Sequence, residues 1–355
     1  MRRNKLENAI TRIWYRPGSL LDYLCIALLF PFSILFYGLV LSRRACFRSG
    51  IFKSYRLNAY VVVVGNLSVG GTGKTPFTLA LCSELKAAKL PFGIVSRGYG
   101  GSAPSYPLEV ALSTSPAVCG DEPYMIKQAV PEAPVFVGPD RVAATKALLN
   151  LYDVRVIVCD DGLQHYRLKR DAEFVVVDGQ RRWGNGMMLP AGPLREPPSR
   201  AKNSITVVNT ATPEAFAEIV RSWNKGSRPK QLYPLMLEPV DFVNLRTGEV
   251  RSVSSFVNSL GKNPILAVAG IGNPERYFAT LRQLGLSIEC QAFPDHHAFT
   301  SSDFKSVGNK LLLMTEKDAV KCKAFASDFM WYLRVASLLD KSLVAHLLED
   351  IKSNS

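Results

Sequence analysis

The most constraining feature of this chain is the octapeptide Ser68-Val69-Gly70-Gly71-Thr72-Gly73-Lys74-Thr75. It follows a four-valine run, Val61–Val64, that ends in Gly65 and reads as a buried parallel strand. It precedes a stretch, Thr75–Ala88, that reads as a helix. Strand, glycine-rich turn and helix in that order are the setting in which backbone N–H groups cradle nucleotide phosphates. There Lys74 reaches the β and γ phosphates, the Thr75 hydroxyl ligates Mg²⁺, and the helix N-terminus adds its dipole. The common pattern begins with Gly, whereas Ser68 takes that place here. Position 69 is Val, which disfavours the ATPases that dimerise through an extra lysine there.

Further strands are expected at Gly93–Val95, Val154–Cys159, Phe174–Val177 and Val207-Val208, alternating with helical segments. Such alternation predicts a parallel α/β sheet with helices on both faces. After Thr210 the texture changes. Leu232–Leu245 and Val250–Val253 read as extended segments around a turn at Thr247-Gly248. Ile265–Ala269 and Leu311–Met314 read as strands of a smaller α/β unit. The expected organisation is an N-terminal segment, 1–50, a phosphate-loop domain, 51–225, and linker strands with a smaller C-terminal domain, 226–355.

Ligands of open α/β sheets bind beyond the carboxyl ends of the strands. Asp160 and Asp161 occupy such an end, where a carboxylate can hold Mg²⁺. Gln164 and His165 follow at once; for His165 a structural hydrogen bond and a ligand contact both remain open. Asp121, in Gly120-Asp121-Glu122-Pro123, opens a helix over 124–130. It is either an N-cap or the carboxylate base that a hydroxyl-phosphorylating kinase needs near its acceptor. Pro294-Asp295-His296-His297 holds two of the four histidines. Adjacent histidines make a poor metal site, so a base partner or a phosphate contact is the better functional reading.

The net charge is +13, and its distribution matters more than its size. Residues 1–60 hold ten basic and two acidic side chains, so 10 − 2 places +8 in one sixth of the chain. The near balance elsewhere argues against a nucleic-acid partner. Between two basic clusters lies Leu20–Leu41, apolar apart from Asp22, with Pro31 in its middle. Its uncharged part, Tyr23–Leu41, has 19 residues, about the minimum for a span. Basic flanks on both sides favour a kinked interfacial or re-entrant segment over a single span. Seven cysteines without a Cys-x-x-Cys pair fit reduced thiols rather than disulfides or zinc.

In order along the chain, Val64-Gly65-Asn66-Leu67-Ser68, Ser96-Arg97-Gly98-Tyr99-Gly100, Gly120-Asp121-Glu122-Pro123 and Asp160-Asp161-Gly162-Leu163-Gln164-His165 are followed by Leu189–Glu196, Phe293-Pro294-Asp295-His296 and Thr315-Glu316-Lys317-Asp318-Ala319. Together these segments resemble the tetraacyldisaccharide 4′-kinase family of lipid A biosynthesis, in which the leading Ser68 is usual. The resemblance implies transfer of the γ-phosphate of ATP to the 4′-hydroxyl of a tetraacylated glucosamine disaccharide 1-phosphate, giving lipid IV-A. It implies two α/β domains joined by a two-stranded linker, with the active site between them. It also implies a catalytic Asp121 partnered by His296, nucleotide contacts from Ser68–Thr75 and Gln164, and metal contacts from Thr75, Asp160, Asp161 and Glu196. Arg97 or Arg195 would face anionic groups. The expected location is the cytoplasmic face of the bacterial inner membrane, with a lipid substrate and no obligate protein partner. The rival readings are another phosphate-loop kinase or ligase with a soluble substrate, and a nucleotide-switched targeting or assembly ATPase.

Overall fold

The computed structural model describes residues 2–223, 228–260, 264–295, 297–305, 307–308 and 310–354. Two helices come first, α1 (Arg2–Tyr15) and α2 (Leu20–Arg48). The phosphate-loop half then runs β1 (Tyr60–Gly65), α3 (Lys74–Ala87), β2 (Phe92–Ser96), β3 (Leu108–Glu109), α4 (Pro116–Cys119), α5 (Asp121–Ala129), β4 (Val135–Val137), α6 (Arg141–Leu151), β5 (Val156–Cys159), β6 (Ala172–Asp178), β7 (Ile205–Thr210) and α7 (Pro213–Ser222). The second half runs β8 (Gln231–Asn244), β9 (Val250–Ser252), α8 (Val253–Ser259), β10 (Ile265–Ala269), α9 (Pro274–Gln283), β11 (Ile288–Ala292), β12 (Leu311–Thr315), α10 (Glu316–Cys322), β13 (Met330–Leu339) and α11 (Lys341–Ser353).

These strands form one sheet in the order β11-β10-β12-β13-β8-β7-β6-β1-β5-β2-β4-β3, with β9 on β8. β1 lies between β5 and β6, parallel to both. It is buried on both faces, as a continuous valine run requires. Val62 and Val64 pack with Phe77 and Leu81 of α3, and Val61 and Val63 with Leu163 and Trp183 on the opposite face. The extended segment expected at Leu232–Leu245 is β8, which pairs in parallel with β7 and antiparallel with β13, from Trp331↔Asn244 to Leu339↔Leu235. The two α/β halves therefore share backbone hydrogen bonds across this seam. α11 then carries Leu343, Leu347 and Ile351 back onto the Phe77–Phe174 core.

The apolar segment becomes a single helix that continues through Pro31. Its start is set by a capping box between Ser19 and Asp22. Ser33 Oγ donates to Met188 O and accepts from Ala191 N, both at 2.9 Å, pinning the helix midpoint to the protein. Phe36 and Val40 pack inward, while Leu20 and Leu28 are 78% and 73% exposed. Among the described residues it is the one helix long and apolar enough to cross a membrane.

Candidate active site

The Ser68–Thr75 turn joins the end of β1 to the start of α3. Its carbonyls are engaged from outside. Val69 O accepts from Tyr15 Oη at 3.0 Å, Gly70 O from Asn66 Nδ2 at 3.2 Å and Thr72 O from Asn209 Nδ2 at 3.0 Å. Gly73, at φ 99°, gives α3 no side-chain cap, so the first amides of the helix remain available to an anion. Gln164 supports the turn by donating to Asn66 O at 3.1 Å.

The expected acidic pair stands directly opposite the loop lysine. Lys74 Nζ lies 3.4 Å from Asp161 Oδ1, and Arg195 Nη1 3.8 Å from the same oxygen. Burial pushes the Asp161 carboxyl up, but the Lys74 and Arg195 charges outweigh it and hold it below the usual range. Asp160 is fully buried, and its Oδ1 accepts from Thr78 Oγ1 of α3 at 3.0 Å. Its Oδ2 is buried with no hydrogen-bond partner. Burial, then the charges of Glu122 and Asp161, push this carboxyl up to about 7. An orphaned carboxylate oxygen beside a second carboxylate, with Thr75 in the first turn of α3, is a donor set that fits a hard divalent cation.

Facing this group is a row of cross-sheet ion pairs from α10. Lys317 Nζ lies 3.2 Å from Glu122 Oε1 and 3.6 Å from Asp295 Oδ1, and Lys321 Nζ lies 3.6 Å from Asp121 Oδ2. Burial disfavours the Lys317 ammonium, yet Glu122 and Asp295 raise its pKa above the ordinary value. Asp318 is buried and accepts from Gly270 N at 2.9 Å and Thr315 Oγ1 at 2.7 Å, which fixes the start of α10. The turn before α9 packs on the phosphate loop itself. A Cβ at Gly272 would overlap Gly71 N, so the two backbones touch. Arg181 donates to Gly272 O, and Asn273 Nδ2 to Asp178 Oδ2 at 2.9 Å.

The remaining expected residues divide. His296 lies outside the described residues. His297 packs among Phe293 and Phe299 with Nε2 3.3 Å from Asp303 Oδ2, a structural position. His165 Nε2 lies 3.7 Å from Asp140 Oδ1; burial and the Arg141 charge push its imidazole down to about 4, so it is neutral at physiological pH. Glu196 is buried, and its partners among the described residues are Tyr166 and Arg200. Arg97 is exposed, whereas Arg195 reaches the acidic pair. Glu122, Lys317, Lys321 and Arg181 were not singled out from the sequence. The Gly-Asp-Glu-Pro and Thr-Glu-Lys-Asp segments carried the signal for the first two, but nothing in the sequence reported that they meet.

A family model described as tetraacyldisaccharide-1-P 4′-kinase matches residues 25–352. A tetraacyldisaccharide 4′-kinase of Haemophilus influenzae is 44% identical over 324 residues, covering 91% of this chain and 90% of its own. The corresponding protein of Vibrio cholerae is 43% identical over 346 residues, covering 97% and 96%. A crystal structure of LpxK from Aquifex aeolicus in complex with ATP superposes with a TM-score of 0.73 at 27% identity, covering 92% of this chain and 99% of that one.

Proposed function

The chain belongs to the tetraacyldisaccharide-1-P 4′-kinase family, and we propose that it transfers the γ-phosphate of ATP to the 4′-hydroxyl through the residues gathered around Ser68–Thr75. Kinases of this family phosphorylate a lipid A precursor in lipid A biosynthesis. The observation that carries the residue assignment is the Lys74–Asp161 contact beside the orphaned Asp160 oxygen.

In this reading the loop amides other than that of Val69, whose N–H donates to Pro193 O at 2.8 Å, bind the phosphates, and Lys74 holds the β and γ groups. Thr75, Asp160 and Asp161, with Glu196 as a further contributor, would hold Mg²⁺, which when bound neutralises phosphate charge. The acceptor oxygen forms the new bond to the γ-phosphorus as the bond to the β–γ bridging oxygen breaks, and ADP leaves. The hydroxyl proton passes to Asp121, with His296 orienting and charge-balancing that carboxylate. Phosphoryl transfer requires positioning and charge compensation more than covalent chemistry, which suits a site made of ion pairs.

The outward leucines of α2 support attachment in the plane of the membrane, where an acylated acceptor resides. Its basic flanks support the cytoplasmic face of the inner membrane. Incubation with γ-labelled ATP and tetraacyldisaccharide 1-phosphate in detergent micelles tests the reading. Label in the lipid is expected; label released only as inorganic phosphate would instead indicate a switch ATPase.

A further inference from the structure

A second basic site lies where α2 ends. Arg44, Phe47 and Arg48 from its last turns, Tyr166, Lys169, Arg170 and Arg200 surround an open cavity of about 420 Å³. Its lining contains none of Ser68–Thr75, Asp121, Asp160, Asp161 or Glu196, although two lining residues, Tyr166 and Arg200, contact Glu196 from the cavity side. Six cationic side chains line it, Arg44, Arg48, Arg56, Lys169, Arg170 and Arg200, against the single carboxylate of Glu173. That carboxylate is already taken. Arg170 Nη1 lies 2.9 Å from Glu173 Oε1, Arg200 pairs with the same oxygen, and Ser204 Oγ donates to Oε2 at 3.1 Å. Arg56 pairs with Asp171.

Among the described residues, Arg44, Arg48 and Lys169 then have no acidic partner within ion-pair distance. Arg200 is 9% exposed, lines the cavity, and its Nε is buried without a hydrogen bond. That Nε faces Glu196 Oε2 at 3.6 Å, so Glu173 and Glu196 compensate the Arg200 charge, and the attraction for a phosphate group comes from the three cations above that have no acidic partner. The position of the cavity identifies which phosphate. It opens where the outward leucines of α2 give way to arginines, beside Ile51 and Phe52, which are 71% and 46% exposed. An interfacial helix meets phosphates at that boundary between acyl chains and headgroups.

We propose that this cavity is a headgroup site for an anionic glycerophospholipid of the bilayer, distinct from the acceptor-lipid site, in which Arg44, Arg48 and Lys169 hold the lipid phosphate. The inference rests on the reading that α2 meets a membrane.

The test uses the full chain and two variants that remove equal charge. Arg48→Gln with Lys169→Gln empties the cavity of two cations, and Arg16→Gln with Lys53→Gln removes two from the same basic region outside its lining. Partition is measured onto phosphatidylcholine vesicles with and without phosphatidylglycerol. The cavity variant should lose at least about tenfold more of the preference for anionic vesicles than the control pair, while both bind neutral vesicles like wild type. Equal losses would mean diffuse attraction and overturn the proposal. Wild type that ignores every vesicle would overturn the membrane reading itself. Two further arms separate other phosphate sources. Inorganic phosphate at constant ionic strength should not displace the wild type from anionic vesicles, and the KM for the acceptor lipid in neutral micelles should be unchanged in the cavity variant. Displacement, or a raised KM, would assign the cavity to free phosphate or to the 1-phosphate of the acceptor, against the proposal.

Discussion

Lys74 Nζ lies 3.4 Å from Asp161 Oδ1, so the phosphate-loop lysine is charge-compensated from within the site. An incoming triphosphate must compete with that carboxylate for the ammonium. Asp161→Asn removes the competitor and one of the carboxylates assigned to the cation. Metal-free ATP should bind severalfold tighter to the variant, while Mg²⁺-supported turnover falls at least about tenfold. Calorimetry with and without Mg²⁺, alongside steady-state rates, checks both halves; weaker metal-free binding would mean that Asp161 does not restrain Lys74.

Asp160 makes a pH-dependent contribution to stability. Its carboxyl is raised from an ordinary 3.8 to about 7 by burial, then by Glu122 and Asp161. The folded protein therefore binds this proton more tightly than the unfolded chain. The cost of the buried charge is absent below pH 3.8, grows as pH rises, and is complete above about 7. Asp160→Asn should melt several degrees above wild type at pH 8, a gap that narrows by pH 5, while catalysis is lost. Differential scanning calorimetry across that range measures it, and a gap independent of pH would refute the assignment.

Gly272 and Gly71 are in backbone contact across the two halves of the sheet. Gly272→Ala inserts a Cβ where Gly71 N stands, forcing the α9 turn off the phosphate loop. The expected result is an increase of about tenfold in KM for ATP with secondary structure retained. An unchanged KM in a folded variant would show that the contact does not shape the nucleotide site.

Asp121 and His296 should behave as one unit. Each change to alanine should cut kcat strongly with little effect on ATP affinity, and the double variant should be little worse than the worse single. If the losses multiply, the two residues act independently. The N-cap of α5 is Gly120 and Asp121 is its first helical residue, so if melting temperature falls while turnover survives, Asp121 acts only through its charge in the first turn of the helix.

What the sequence made legible follows from where the information is local. The phosphate loop, the valine strand before it and Asp160-Asp161 at the end of β5 all appeared as contiguous patterns with one physical reading. β4 and β11 did not. Val135–Val137 is three residues long, and Ile288–Ala292 is an edge strand interrupted by Glu289 and Gln291. β13 escaped because Arg334 and Ser337 break its apolar run, although it forms half of the seam with β8. The pairing of Lys317 with Glu122 was invisible for a different reason: 195 residues separate the partners, and only the folded sheet brings α10 to α5. The site was thus readable in its parts and unreadable in its junction.

The central claim is that the Lys74 charge stabilises the phosphoryl group during its direct transfer from ATP to the acceptor. It is tested most directly by single-turnover transfer from γ-labelled ATP to tetraacyldisaccharide 1-phosphate, comparing wild type with Lys74→Ala of confirmed fold. The variant is expected to transfer label to lipid at least about a hundredfold more slowly. A folded Lys74→Ala enzyme that labels the lipid at the wild-type rate would contradict it.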